Sequence, residues 1–101
     1  MTKVFPSLAA RTDLLEIREY SIEQFGGDVA DTYFLGFDEA FDLLASHPLI
    51  GPARPELGKG IRCLVHRRHR IFYSFDGETV LIVRIVHHAM DVRVALKRAA
   101  G

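Results

Sequence analysis

Cysteine occurs once in the 101 residues, at Cys63, so no intramolecular disulfide framework exists and no CxxC pair is present to hold a structural zinc. A reducing cytoplasm is therefore the expected compartment. Net charge is absent as well, because thirteen Lys and Arg offset thirteen Asp and Glu. The longest apolar run, residues 79–86, is broken by Arg84 and falls far short of the roughly 20 residues that cross a bilayer. The opening MTKVFPSLAARTDLL lacks the continuous apolar stretch of a signal peptide, so neither secretion nor a membrane partner is expected. Glycine motifs that cradle nucleotides (GxGxxG, the P-loop) and the HExxH metal pair are missing too, and no cofactor is expected. What remains is 49% apolar and 26% charged, the composition of a folded chain rather than a disordered one. Its 101 residues suit one domain over 1–101, since chains usually divide only beyond roughly 250 residues.

The zero net charge hides an asymmetry. Residues 1–53 carry three basic groups against nine acidic ones, and residues 54–101 carry ten basic against four acidic. The C-terminal half thus suits an acidic partner.

The N-terminal half reads as a short strand over residues 3–5 and two helices. Pro6 closes the strand, and Ser7 is placed to cap a helix running to about residue 25. Leu8, Leu14, Leu15, Ile17, Ile22 and Phe25 recur on one side of it at helical spacing. Gly26 and Gly27 supply the left-handed backbone that ends it, and Asp28 is placed to cap the next helix. That second helix presents Ala30, Tyr33, Phe37, Ala40, Phe41 and Leu44 before Ser46, His47 and Pro48 stop it. The pair makes an antiparallel hairpin whose outer faces carry the nine acids. Residues 48–60, with three prolines and three glycines, read as a loop. The period then changes to that of strands over 61–65, 70–75 and 79–87, with Asp76-Gly77 as a two-residue hairpin turn. Such a turn sets Tyr73 opposite Val80, Ile71 opposite Ile82, His69 opposite Arg84 and Arg70 opposite Val83. Residues 91–100 form either a last short helix or a frayed tail. The expected class is α+β, a helical hairpin packed on a small, mainly antiparallel sheet.

Residues 59–70 hold five Lys or Arg and two His with no acid among them. Such a run either keeps a sheet edge from pairing with other chains or offers planar cations to phosphates and carboxylates. The five histidines do not fall into a metal-binding pattern, and Cys63 lies in the apolar stretch IRCLV, where cysteine acts as a small buried hydrophobe. Lys59, Arg62, Arg70, His69, His87 and His88 together could supply the base, acid and cations of a metal-free ribonuclease. No recognition helix for DNA is visible, although the basic half leaves a nucleic-acid or plain interaction module as a further possibility.

The order of elements, together with LLASHPLIG at 43–51, R-x-E-L-x-x-G-I-R at 54–62, H-R-I-F-Y at 69–73 and I-V-R-I-V-H-H-A-M-D at 82–91, resembles the RelE/ParE superfamily of toxins from type II toxin-antitoxin modules, the plasmid stabilisation proteins. The resemblance covers nearly the whole chain. It implies a helical hairpin on an antiparallel sheet, a small cytoplasmic toxin, and a ParD-like antitoxin that wraps it in a hetero-oligomer. RelE-like members cut messenger RNA on the ribosome; of their catalytic set the strand arginine matches Arg70, while the later arginine and tyrosine fall at Ala89 and Arg93. ParE-like members lack that set and are understood to poison DNA gyrase, and the H-x-M-D ending is similar to theirs. No catalytic residue is therefore assigned. The basic residues expected to meet the target are Lys59, Arg62, His69, Arg70, Arg84 and His88, and an antitoxin helix is expected on the hairpin near Leu14, Ile17, Tyr33 and Phe37.

Overall fold

A computed structural model describes residues 2–87. Strand β1 (Lys3–Pro6) leads into helices α1 (Leu8–Phe25) and α2 (Gly27–Ser46), a 3-10 turn (Pro55–Leu57), and strands β2 (Arg62–His66), β3 (His69–Phe75) and β4 (Thr79–His87). The sheet order is β1-β4-β3-β2. Strands β2, β3 and β4 pair antiparallel, and β1 joins β4 in parallel, which makes the sheet mixed. The expected α+β class and all four strands are present. The expected helix or tail at 91–100, His88, and the H-x-M-D ending lie outside the described residues.

Ser7 caps α1 as expected and also ties it to the sheet. Its hydroxyl accepts from the Ala10 amide (3.0 Å) and donates to the Val83 carbonyl (2.8 Å). Between the helices the expected capping differs. Gly26 makes the whole turn alone at φ +85°, the left-handed region that favours glycine. Gly27 is then already helical, so Asp28 falls in the first turn of α2, where its charge meets the helix dipole instead of capping the chain end.

Helix α1 is rotated from the expected face. Ala10, Asp13 and Ser21 are buried and Leu14 and Ile17 pack against the core, whereas Leu8 (81% exposed), Leu15 (62%), Ile22 and Phe25 point away from it. A carboxylate decides this. Asp13 is one of the nine acids expected outside, yet it is 7% exposed; the other eight are exposed. Helix α2 follows its expected pattern, burying Ala30, Phe37, Ala40 and Leu44 against Ile71, Tyr73, Val80, Ile82 and Ile85. On the opposite face of the sheet, Cys63, Phe72 and Val86 form a smaller cluster under Leu57 and Ile61. Burial pushes the Cys63 thiol up from its usual value, in keeping with a packing role.

The β3–β4 register corrects the expected one. The Asp76 carboxylate accepts from the amides of Glu78 (2.8 Å) and Thr79 (2.7 Å), so the loop spans three residues, 76–78, rather than two. Phe75 then faces Val80, and Tyr73 faces Ile82. Beyond that pair the ladder shifts again, leaving Val83 as an extra residue on β4. As a result Ile71 faces Ile85, Arg70 faces Val86, and His69 faces His87. Such a bulge re-aims side chains. Here Arg84 and Ile85, consecutive residues, both turn toward α1. Arg84 donates through Nε (2.7 Å) and Nη2 (2.8 Å) to the two oxygens of Asp13, and the Ile85 amide donates to the same carboxylate (2.9 Å).

Removing one partner of a buried pair leaves an uncompensated charge, costing about 3–5 kcal/mol. Asp13→Ala is accordingly expected to lower unfolding free energy by about that amount in urea titration, and the double variant Asp13→Leu/Arg84→Met to recover a large part of it. Loss of less than about 1 kcal/mol on Asp13→Ala would assign the pair no structural weight.

Candidate functional site

The six basic residues expected to form one patch are divided by the fold. Antiparallel pairing sets Arg62 beside Tyr73, and both hold the loop after α2. The Arg62 guanidinium donates to the carbonyls of Gly51 (2.7 Å) and Leu49 (2.9 Å), while the Gly51 amide donates to the Tyr73 hydroxyl (2.9 Å). The loop lies so close here that a Cβ on Gly51 would sit 2.6 Å from the Cys63 carbonyl oxygen. Arg84 is spent on Asp13, and His69 is turned under the helices. Arg70 alternates to the other face of β3, half-buried beside Val65 and Val86 in the ladder. Lys59 stands exposed in the loop before β2. Of the described five, only Lys59 and Arg70 lie outside framework contacts printed by the fold's own geometry; His88 is outside the described residues.

The expected apolar contacts are also redistributed. Phe37 is 1% exposed, and Leu14, Ile17 and Tyr33 pack against the core around it. These four side chains hold the hairpin to the sheet. What the rotation of α1 leaves exposed instead is Leu8, Leu15 and Ile22, seven residues apart and so on one stripe of the helix, opposite the core.

A second cluster escapes simple sequence reading. Under the tip of the hairpin, Tyr33 and Phe37 of α2 meet His66 and His69 from the two ends of the β2–β3 turn. The Tyr33 and His69 rings lie edge-on at 5.7 Å, with 2.5 Å between the phenol oxygen and His69 Nδ1. Burial raises the Tyr33 phenol above its usual value, so it stays protonated and donates, which leaves the proton of a neutral His69 on Nε2. His87 stacks edge-on to His69 at 5.6 Å, and Arg67 lies 5.3 Å above the Tyr33 ring. The His66 ring packs 4.9 Å from Phe37 and against Gly36, where a Cβ would come within 2.9 Å of Nε2. The spacing of His66 and His69 did hold a signal, because a two-residue turn sets them opposite each other. The pairing of His69 with His87 had none, since it depends on the bulge.

This cluster walls one end of a cavity of about 730 Å³ between the hairpin and the sheet. Ile17, Tyr20, Phe25 and Val29 form its helical side, and Ile85 with His87 its sheet side.

Residues 4–92 match the family described as the ParE toxin of the type II toxin-antitoxin system, parDE. Among curated relatives, Toxin ParE1 of Mycobacterium tuberculosis is 38% identical over 87 residues, covering 85% of this chain and 89% of the relative. Toxin ParE1 of Caulobacter vibrioides is 31% identical over 90 residues, covering 89% and 93%. Among solved structures, the chromosomal ParDE system from P. aeruginosa superposes with a TM-score of 0.74 at 22% identity, over 86% of this chain and 96% of that one. The toxin-antitoxin complex RelBE2 from Mycobacterium tuberculosis gives a TM-score of 0.60 at 28% identity, over 88% and 93%.

Burial, and next to it Arg67, lower the affinity of His66 for a proton below the usual value of 6.5, against a smaller opposing pull from Glu39. Below that value the unfolded chain binds the proton more readily than the folded one, so the folded state loses stability as pH falls. Wild-type stability should therefore decline from about pH 7.5 to about pH 5.5 more steeply than that of His66→Leu, as read from urea midpoints. Equal slopes would remove His66 from the acid response.

Proposed function

The chain belongs to the ParE family of type II toxin-antitoxin toxins, and from that membership we propose that it arrests growth in the cytoplasm by binding DNA gyrase, with no chemistry of its own, and is silenced by a ParD-like antitoxin. The observation that carries the reading is the match to the ParE family across residues 4–92. No helix among the described residues is long and apolar enough to cross a membrane, which agrees with a target inside the cell. Arg70 and Lys59 are the cations proposed to meet that target, with His88. Arg62 and Arg84 support them indirectly by holding the loop and the bulge.

For the antitoxin, the stripe Leu8, Leu15 and Ile22 is the proposed seat. The side chains first expected to serve, Leu14, Ile17, Tyr33 and Phe37, are already packed into the toxin. A seven-residue apolar spacing on an exposed helix suits a partner helix that folds as it binds. A second reading, ribosome-dependent cleavage of messenger RNA, takes its support from the likeness to RelBE2.

Purified toxin is expected to inhibit supercoiling by gyrase, or to trap gyrase-cleaved DNA, while leaving ribosome-bound messenger intact; codon-specific messenger cleavage with unaffected gyrase would transfer the assignment to the second reading. Arg70→Ala is expected to abolish growth arrest with a change in folding stability within about 1 kcal/mol, because a partly exposed charge contributes little to folding. Unfolding of that variant would place Arg70 in the framework. Leu15→Glu, at an exposed position, is expected to leave thermal stability unchanged and to abolish co-purification with the antitoxin encoded beside the toxin. Retained co-purification would move the antitoxin to another face.

A further inference from the structure

We propose that the cavity between the hairpin and the sheet is the docking site of the chain's own C-terminal residues 91–100. This inference goes beyond the toxin reading and does not depend on the cellular target. Its starting point is where the described chain ends. His87 lines the cavity, as do Ile85 and Arg84 before it, so residues 88–101 begin inside the groove they would fill.

Dimensions and chemistry agree. The α1 wall of the cavity runs from Asp13 to Phe25, about 18 Å of helix at 1.5 Å per residue, and ten residues in helical form span about 15 Å. At helical spacing Val92, Ala95, Leu96 and Ala99 share one side of such a segment, while Arg93, Lys97 and Arg98 flank it. The hairpin presents the complement. Tyr20, Phe25 and Val29 are exposed by 61%, 63% and 54%, large apolar side chains that a folded chain usually covers. Along the same flank of α1 stand Glu16, Glu19 and Glu23, at spacings that put them on one side of the helix, and none of the ion pairs among the described residues involves them. An apolar side would enter the groove, with three cations beside three carboxylates at its rim. The alternatives for this surface, a second copy of the chain or a separate protein, lack the tether that raises the local concentration of a segment already attached at His87.

Disulfide trapping in the full chain tests this directly. Cys63 is the only native thiol, so Cys63→Ala provides a silent background for the pair Tyr20→Cys/Leu96→Cys, with Leu35→Cys/Leu96→Cys as control; Tyr20 and Leu35 are both 61% exposed. Under mild oxidation in dilute solution, the Tyr20 pair is expected to close an intramolecular disulfide at least about tenfold faster than the control, as read by mass and non-reducing mobility. Equal rates would overturn the proposal, and a disulfide that links two molecules would assign the groove to a second copy. A measurement without engineered thiols uses Leu96→Asp in the otherwise native chain. Amide exchange at the hairpin tip, Phe25 to Ala30, is expected to quicken several-fold relative to wild type, and unchanged exchange would equally overturn it.

Discussion

The carboxylate of Asp13 joins the two layers of this fold. It accepts three hydrogen bonds from β4, two from the Arg84 guanidinium and one from the Ile85 amide, while being carried by α1. A charge this deeply placed is tolerated only when fully paired, so the helix is held in one rotation and β4 in one local register. The bulge at Val83 supplies the geometry, because only there can a side chain and the next amide turn to the same helix. Ser7 reinforces the junction from the other end of the first turn by capping α1 and donating to the Val83 carbonyl. One acidic residue, one extra strand residue and one cap thereby align helix and sheet.

The distribution of functional surface follows from that alignment. Rotating Asp13 inward turns Leu8, Leu15 and Ile22 outward, which creates an apolar stripe on the side of α1 away from the core. Shifting β4 by one residue brings His87 beside His69 and sends Arg70 to the opposite face from Arg84. The basic half of the sequence is consequently not one continuous patch. Some of its cations stabilise the fold, as Arg62 does by binding two loop carbonyls, and others are left to meet solvent or a partner. The acidic half behaves more uniformly, with eight of its nine carboxylate side chains exposed along the hairpin.

The same comparison separates what family membership conveys from what the residues do. A toxin of this family is expected to use basic sheet residues, and the sequence supplies them in abundance. Geometry narrows that supply to Arg70 and Lys59 among the described residues, since Arg84 and Arg62 already satisfy buried or half-buried acceptors. Phe37 likewise reads from its spacing as a contact for a partner helix, yet at 1% exposure it is the centre of the toxin's own core. Guanidinium groups and large aromatic side chains serve both purposes with equal ease, so residue type alone does not distinguish them.

Local physics was legible in the sequence wherever one short interaction decides the outcome. Ser7 as a cap, Gly26 as the turn between helices, the buried face of α2 and the existence of all four strands each depend on a few neighbouring residues. Long-range pairing decided the rest. The period of α1 favoured its leucines, and a salt bridge to a residue 71 positions away overruled it. Asp76-Gly77 signalled a two-residue turn, but the Asp76 carboxylate bound amides as far as Thr79 and lengthened the loop by one. The bulge then displaced every later pair. Side-chain direction in a strand reverses with each residue, so a single unpaired residue, invisible in the periodicity of either strand, determined which histidines meet and which arginines remain available.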